Sequence, residues 1–444
     1  MFTYVKLNNF LSLNNVTFDL KETRDKIKKI AVIYGENGCG KSTLIRSFYF
    51  LQNLIHTFDL EKREVRFLRF LEEQENREVP PILIRYMNEQ TLSNLFKSSR
   101  TIQCEDNSRL EYGFEVNGHE GSYIIEYNDV IVYEKLYYFT GKQSGTVFEI
   151  SSEDIKNPKL STQVFKSNKI ISEVIDRILK YWGKHSLISI VYDMLNNLNN
   201  DYIQENISNY LYDFHNMISE TSIMIKSGDG ISRVDSCKKI NFLFDLESGS
   251  IDKENKWLLL NTEKILNDFF IQTYSDIKKV EFAEKIDDKR IKYKLLFNKY
   301  INGKIRKIPV ENESTGTRKI LEILRYLFGA FCGCTIIIDE VDNGIHDLLL
   351  KVVIDSMKDY ITGQLIFTTH NTSLLESLDA KYVYIINGNY DGFKEIVCLS
   401  EYKLQDSNSA RLRYMKGLFG GIPFVQYVDY NEIIENLKKV NIDT

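Results

Sequence analysis

Residues 34–43 read YGENGCGKST, and they decide the fold. Gly35-x-x-x-x-Gly40-Lys41-Ser42 follows the apolar run KIAVIY (29–34), and Leu44, Ile45, Phe48, Leu51 and Ile55 then recur at helical spacing. That strand–loop–helix context turns a Gly-rich turn into a phosphate-binding loop. Gly35, Gly38 and Gly40 let the backbone curl until successive N–H groups face one anion, and the helix adds its positive N-terminal end. Lys41 is expected to reach the β- and γ-phosphates of a nucleoside triphosphate, and Ser42 to offer a hydroxyl to Mg²⁺. The candidate nucleotide-binding residues are Gly35, Asn37, Gly38, Cys39, Gly40, Lys41, Ser42 and Thr43. Cys39 reads either as a small side chain tolerated in the loop or as a redox-sensitive thiol.

A second apolar run ends in acid: TIIIDEVDNGIH (335–346). A buried strand terminating in Asp339-Glu340 delivers both carboxylates to the C-terminal edge of a sheet. There Asp339 would enter the Mg²⁺ shell, and Glu340 would orient or deprotonate an attacking water. A third buried strand, LIFTTHNTSLL (365–375), ends in His370, read as a switch that contacts the γ-phosphate. The three catalytic candidates are therefore Lys41, Glu340 and His370, with Ser42 and Asp339 as metal ligands.

The remaining pattern places these motifs on an α/β fold. Residues 2–7 and 16–20 read as strands, and 100–150 is strand-rich. From 165 to 225 the pattern is helical, with Ile171, Val174, Ile175, Ile178, Leu179 and Trp182 on one face. Strands return over 278–308, with Asn302-Gly303 as a hairpin turn. Helix 318–331, strand 335–338, helix 347–359, strand 364–367, helix 372–379 and strands near 382–399 alternate as in a parallel sheet. The expected divisions are an N-terminal lobe 1–160 with the P-loop and an antiparallel β subdomain, a mainly helical insertion 161–275, a C-terminal lobe 276–400, and a helical extension 401–444.

Between 311 and 327 stands ENESTGTRKILEILRYL, small and polar before an amphipathic helix. Ser314 or Thr315 alone would make an ordinary helix cap. In the order P-loop, Ser-x-Gly, Asp-Glu, His, however, the chain resembles ABC-type ATPases, whose signature sits where Ser314 and Gly316 stand and caps the γ-phosphate bound by a second subunit. Thr317 replaces the glutamine that transporters carry. The long separation of Lys41 from Ser314 resembles the branch of SMC proteins, RecF and OLD-like ATPases. A resemblance over nearly the whole chain is to the stand-alone ATPases of bacterial abortive-infection (anti-phage) systems. Its pieces are NNFLSLNNVTFDL, YGENGCGKSTL, LEYGFEV, VIVYEKLYYF, ESTGTRK, DEVDNGIH, TTHNTSLL and RLRYMKGLFGGIPFV. That family usually has Ser-Leu-His-Pro after the acidic pair. Here it is Gly344-Ile345-His346-Asp347, so His346 is either a residue between two nucleotide sites or a helix-start histidine. No Q-loop glutamine is identifiable beyond the candidate Gln103.

The resemblance implies a P-loop NTPase of ABC-ATPase type that binds ATP with Mg²⁺, pairs with a second copy through composite ATP sites, and regulates a separately encoded toxin or nuclease. The residues after His370 hold no Asp/Glu cluster suited to a second metal-dependent nuclease, and no effector domain is expected. The alternative is a RecF- or SMC-like DNA repair ATPase. Its nucleic-acid contact would be the basic stretch 289–307 (Lys289, Arg290, Lys292, Lys294, Lys299, Lys304, Arg306 and Lys307), where Tyr293, Phe297 and Tyr300 interleave. The same pattern also describes the solvated outer face of a sheet. A net charge of −5 excludes a globally polybasic nucleic-acid binder. Six cysteines without paired metal spacing, no signal-peptide pattern and no membrane-length apolar run point to a reduced, cytoplasmic protein. Cys332 and Cys334 are expected to be buried thiols, and Arg411, Arg413 and Lys416 to mark a packing or partner-docking helix.

Overall fold

The computed structural model describes residues 1–73, 91–140, 143–196, 205–227, 230–234, 236–237, 239–389, 391–402, 409–422 and 428–440. Its centre is a seven-stranded sheet in the order Gly230–Val234, Ser222–Ser227, Thr335–Ile338, Gln364–Thr368, Ile30–Tyr34, Val383–Gly388, Lys394–Cys398. The inner five strands are parallel, and one antiparallel strand closes each edge. Ile30–Tyr34 is buried throughout because both faces of a parallel sheet are covered. Ala31 and Ile33 enter one apolar core, and Ile30, Val32 and Tyr34 enter the other.

Helix Lys41–Leu54 covers the first face. Its Phe48 ring lies edge-on to Phe2, 4.8 Å away, which brings in a second, antiparallel sheet. That sheet runs in the order Lys159–Leu160, Gln143–Ser151, Ile131–Thr140, His119–Tyr127, Ser108–Val116, Phe2–Asn8, Val16–Asp19. Gln364, fully buried on a core strand, joins the two sheets. Its amide donates to the carbonyls of Phe2 and Lys28 (2.9 and 3.1 Å) and accepts from the Phe2 N–H (2.8 Å). Helices Thr315–Phe331 and Asp347–Met357 cover the opposite face through Ile320, Leu324, Leu350 and Ile354. A third sheet carries Arg290–Ile301 in the middle, with Ile277–Ile286 on one side and Ser248–Asp252 and Lys304–Pro309 on the other. Its hairpin turns at Asn302 and Gly303, both at positive φ (51° and 76°), as an Asn-Gly turn requires.

Several expectations need correction. Residues 161–275 supply helices Asn168–Tyr181, Leu187–Leu195, Asn209–Ser219 and Lys256–Thr273, but also the strand Ser222–Ser227 that pairs directly with Thr335–Ile338. The buried spine of Asn168–Tyr181 is Ile170, Val174 and Ile178, one turn apart, and Leu179 faces solvent. Residues expected as helix 372–379 form only a short 3₁₀ turn, Thr372–Glu376. The cysteines depart most. Cys334, expected as a free buried thiol, forms a disulfide with Cys237, and Cys332 is exposed. A Cα–Cα distance of 6.0 Å allows the bridge, but a sequence separation of 97 gives no spacing signal for it. Among the described residues no helix is long and apolar enough to cross a membrane.

A buried carboxylate ties the insertion to the antiparallel sheet. Glu134 accepts from the Tyr123 hydroxyl (2.8 Å), the Trp182 indole (2.8 Å) and the Leu187 N–H (2.8 Å). Burial pushes its carboxyl up from 4.5 to about 7, against the pull of these donors. A raised folded-state value means that this group's stabilisation is present below 4.5 and is lost as pH rises through about 7. Glu134→Gln turns an NH₂ toward those donors. It should cost about 1–3 kcal/mol and flatten this part of the pH dependence, read as the wild-type-minus-variant unfolding free energy across that window. Cys237→Ser should lower stability by up to about 4 kcal/mol, because the bridge closes a long loop. Urea unfolding with and without reductant should then coincide for the variant and differ for the wild type.

Candidate functional site

Parallel strands end at one edge, and here that edge collects the motifs. Strand Ile30–Tyr34 opens into the P-loop, Thr335–Ile338 into Asp339-Glu340, and the strand between them, Gln364–Thr368, into Thr369 and His370. Within the loop Gly35 is obligatory, since a Cβ there would lie 2.5 Å from the Cys39 sulfur and 2.9 Å from the Ile386 carbonyl oxygen. The Lys41 ammonium curls back beneath the loop and donates to the carbonyls of Gly35 (2.8 Å) and Glu36 (2.9 Å), which holds the ring closed. Gly40 caps helix Lys41–Leu54 without a side-chain bond to the first turn. The N–H groups there are thus left for an anion. Asn37 and Gly38 stand exposed, Ser42 and Thr43 half-buried, and the Thr43 hydroxyl lies 3.1 Å from that of Ser12. Cys39 is buried, and burial pushes its thiol up, which favours the inert small-residue reading over the redox one.

Thr368 is the residue that sequence reading missed. Its hydroxyl donates to Asp339 Oδ1 (2.6 Å) and accepts from the Glu340 N–H (2.7 Å), fixing the acidic pair to the neighbouring strand. Glu340 sits at φ 50°, a left-handed conformation that a non-glycine residue rarely adopts. Asp339 is buried, and its other oxygen, Oδ2, has no hydrogen-bond partner. Leaving a buried carboxylate oxygen bare costs about 1–3 kcal/mol, so this atom fits a cation or its water. A hydroxyl two residues before His370, in FTTH, is the available signal for Thr368.

The His370 N–H donates to Asp342 Oδ2 (3.0 Å), and its ring is exposed at the edge. Asn371, next in sequence, is fully buried. Its carbonyl accepts from the Tyr34 hydroxyl (2.8 Å), and its amide donates to the Asp347 carbonyl (2.8 Å). The segment after strand Gln364–Thr368 is therefore bonded both to the strand that carries the P-loop and to the helix after the acidic pair. His346 caps that helix, with Nδ1 accepting from the Leu348 N–H (3.2 Å), which is the helix-start reading.

Ser314 caps helix Thr315–Phe331 by accepting from the Thr317 N–H (3.2 Å). Thr317 is buried and its hydroxyl meets that of Ser314 (2.8 Å), so it does not present the polar side chain that the transporter glutamine would. Ser314 and Thr315 remain exposed, and a Cβ on Gly316 would lie 3.3 Å from the Gly344 carbonyl, in the turn after Glu340. Among the described residues no hydrogen bond joins 314–317 to 35–43. Gln103 is exposed at φ 59° in a turn tied to residues 9–11 through Thr101 and Ser99.

The basic hairpin alternates as expected, with Ile291, Tyr293 and Leu295 buried and Arg290, Lys292 and Lys294 outward. Arg290, Lys294, Lys299 and Lys307 already face Asp252, Glu311, Glu313 and Glu281, which makes much of this surface an ion-paired outer sheet face. Arg411 is likewise engaged within the chain, donating to Thr372 and Glu376. Of the motif RLRYMKGLFGGIPFV, residues 423–425 lie outside the described residues.

Residues 30–376 match the protein-family model described as "AAA domain, putative AbiEii toxin, Type IV TA system". The chain belongs to this family. Its fold is α/β, with the P-loop at the end of a core strand and an antiparallel β subdomain packed on a parallel core sheet. Solved structures similar to it include an SmcHead bound to the C-winged helix domain of ScpA (13% identity, 89% of this chain and 97% of that one, TM-score 0.42). Others are the SMC head domain from Thermotoga maritima (12%, 89% and 98%, TM-score 0.37) and a Smc head domain with an extended coiled coil bound to the C-terminal domain of ScpA derived from Pyrococcus furiosus (13%, 94% and 99%, TM-score 0.39).

Thr368→Val should strip Asp339 Oδ1 and the Glu340 N–H of their partner and cost about 2–4 kcal/mol in denaturant unfolding. Thr368→Ser, which keeps the hydroxyl, should lose less than half of that. Equal losses would show that the methyl group, not the hydroxyl, holds the acidic pair.

Proposed function

We propose that this family member binds and hydrolyses ATP at an interface between two copies of itself, and that the ATP-bound assembly regulates a separately encoded toxin or nuclease in an anti-phage, abortive-infection response. The observation that carries the reading is the pairing, on one sheet edge, of a phosphate loop closed by Lys41 with an Asp339 whose Oδ2 lacks a partner. The family's toxin–antitoxin description supports the defence setting and the separate partner.

In this mechanism the P-loop N–H groups and Lys41 bind the β- and γ-phosphates. Ser42 and Asp339 would hold Mg²⁺, which would supply charge neutralisation at the phosphates. Among the described residues no three His, Cys, Asp or Glu side chains group as a metal cage. The cation would therefore depend on phosphate and water for its remaining ligands, as Mg²⁺ commonly does. Glu340, half-buried at the strand end, orients the attacking water, and His370 contacts the γ-phosphate. Ser314, exposed in its own chain, and the half-buried Gly316 cap the γ-phosphate held by the second copy.

Glu340→Gln should bind ATP, turn it over at least about 100-fold more slowly than wild type, and accumulate as an ATP-dependent dimer in light scattering. Ser314→Arg should leave ATP binding by the monomer intact and abolish both dimerisation and turnover. Wild-type protein that neither binds ATP nor changes its oligomeric state with it would end this reading. Full turnover by Ser314→Arg would leave Ser314 a helix cap and remove only the composite site.

A further inference from the structure

The three glycines of the P-loop are supported from outside in different ways. Behind Gly35 stand Ile386 and the C-terminal turn, where a Cβ on Gly421 would lie 3.4 Å from the Gly35 Cα. Against Gly40 stands Leu13, whose Cδ2 is 2.7 Å from where a Cβ would be. Gly38, at the crest and at φ 81°, has nothing within 4 Å of such a Cβ. What reaches it is a charge: the Lys394 ammonium donates to the Gly38 carbonyl at 3.1 Å.

Lys394 opens the edge strand Lys394–Cys398, which pairs with Val383–Gly388, itself the neighbour of the P-loop strand. Its side chain is half-buried, and Cys39 and Glu36 are the titratable groups that act on it electrostatically. A trans peptide is planar, so the Gly38 carbonyl and the Cys39 N–H point in opposite directions. The Cys39 N–H is directed at the Glu36 carbonyl across a long 3.4 Å contact, and the Lys41 ammonium donates to that same carbonyl. Pulling the carbonyl of Gly38 outward therefore turns the next N–H inward, to the side where Lys41 lies.

We propose that Lys394 is a positioning residue of the nucleotide site, holding the crest of the P-loop so that the Cys39 N–H is aimed at bound phosphate. The inference rests on the nucleotide reading above and adds a residue from the far edge of the sheet to it. Lys394 does not touch the reacting atoms. It lowers the cost of ordering the exposed crest of the loop, where a Cβ on Gly38 would meet nothing within 4 Å. Its effect should appear in affinity before it appears in chemistry.

The test is titration of the full-length chain with a fluorescent N-methylanthraniloyl ATP, together with steady-state turnover, for wild type, Lys394→Met, Lys394→Arg and Lys41→Ala. Lys394→Met should raise Kd about tenfold and raise KM more than it lowers kcat, while Lys394→Arg, which keeps a cationic donor, should recover most of the affinity. Nucleotide binding by Lys394→Met within twofold of wild type overturns the proposal. So does a fall in thermal unfolding midpoint, with kcat lost and no rescue by arginine, which would make Lys394 a structural residue only. If Lys394→Met is insoluble, Lys394→Gln against Lys394→Arg decides by the same criteria. Wild type that binds no better than Lys41→Ala overturns the nucleotide reading itself, a result distinguishable from failure at Lys394 alone.

Discussion

A strand that is paired along both edges and buried on both faces has no freedom left, and Ile30–Tyr34 is in that position. Its neighbours are parallel to it, so its loop and the loop of the adjacent strand must emerge on the same side of the sheet. Everything polar at the site follows from that constraint. Gly35, His370 and, one strand further, Asp339 arrive together because the sheet ends there, not because local sequence brings them together. The two apolar cores beneath hold the edge rigid, as sites built on regular elements require.

On this frame, small groups make the final adjustments. One threonine hydroxyl orients two consecutive acidic residues. Asp342 accepts from the His370 N–H, and Tyr34 links the P-loop strand to Asn371. The C-terminal segment joins the same arrangement from below. The Tyr414 ring packs on that of Tyr34 at 5.6 Å, and its hydroxyl donates to Gly421, the residue behind Gly35. A stretch that reads as a packing or partner-docking helix thus has at least one face packed behind the P-loop.

What was legible in the sequence was whatever a short window contains. The P-loop, the buried strands, the alternation of Arg290–Leu295 and the Asn302-Gly303 turn are each spelled out within a dozen residues, and each stands in the structure as read. What escaped notice depends on partners distant in the chain. Ser222–Ser227 is short and lies among helices, so nothing local assigns it to the core sheet. The Cys237–Cys334 bridge, the Thr368 clasp and the Lys394 tether join residues whose spacing carries no pattern. Leu179 fits the apolar helical spacing, yet the helix turns it outward, because apolar character at a helical position does not by itself fix burial. The site's residue types were therefore visible from composition and order, and their supports were not.

The pairing of the phosphate strand also has a consequence for biosynthesis. Both neighbours of Ile30–Tyr34 lie beyond residue 363, and the Phe2 backbone is held by the side chain of Gln364. A ribosome that has released the first third of the chain has made the phosphate loop but none of the strands that flank it. That apolar run must wait, unpaired, for most of translation, and folding of the sheet edge that carries the motifs is deferred until the last quarter emerges. A chain truncated before that point keeps the whole nucleotide motif as text and has no sheet on which to display it.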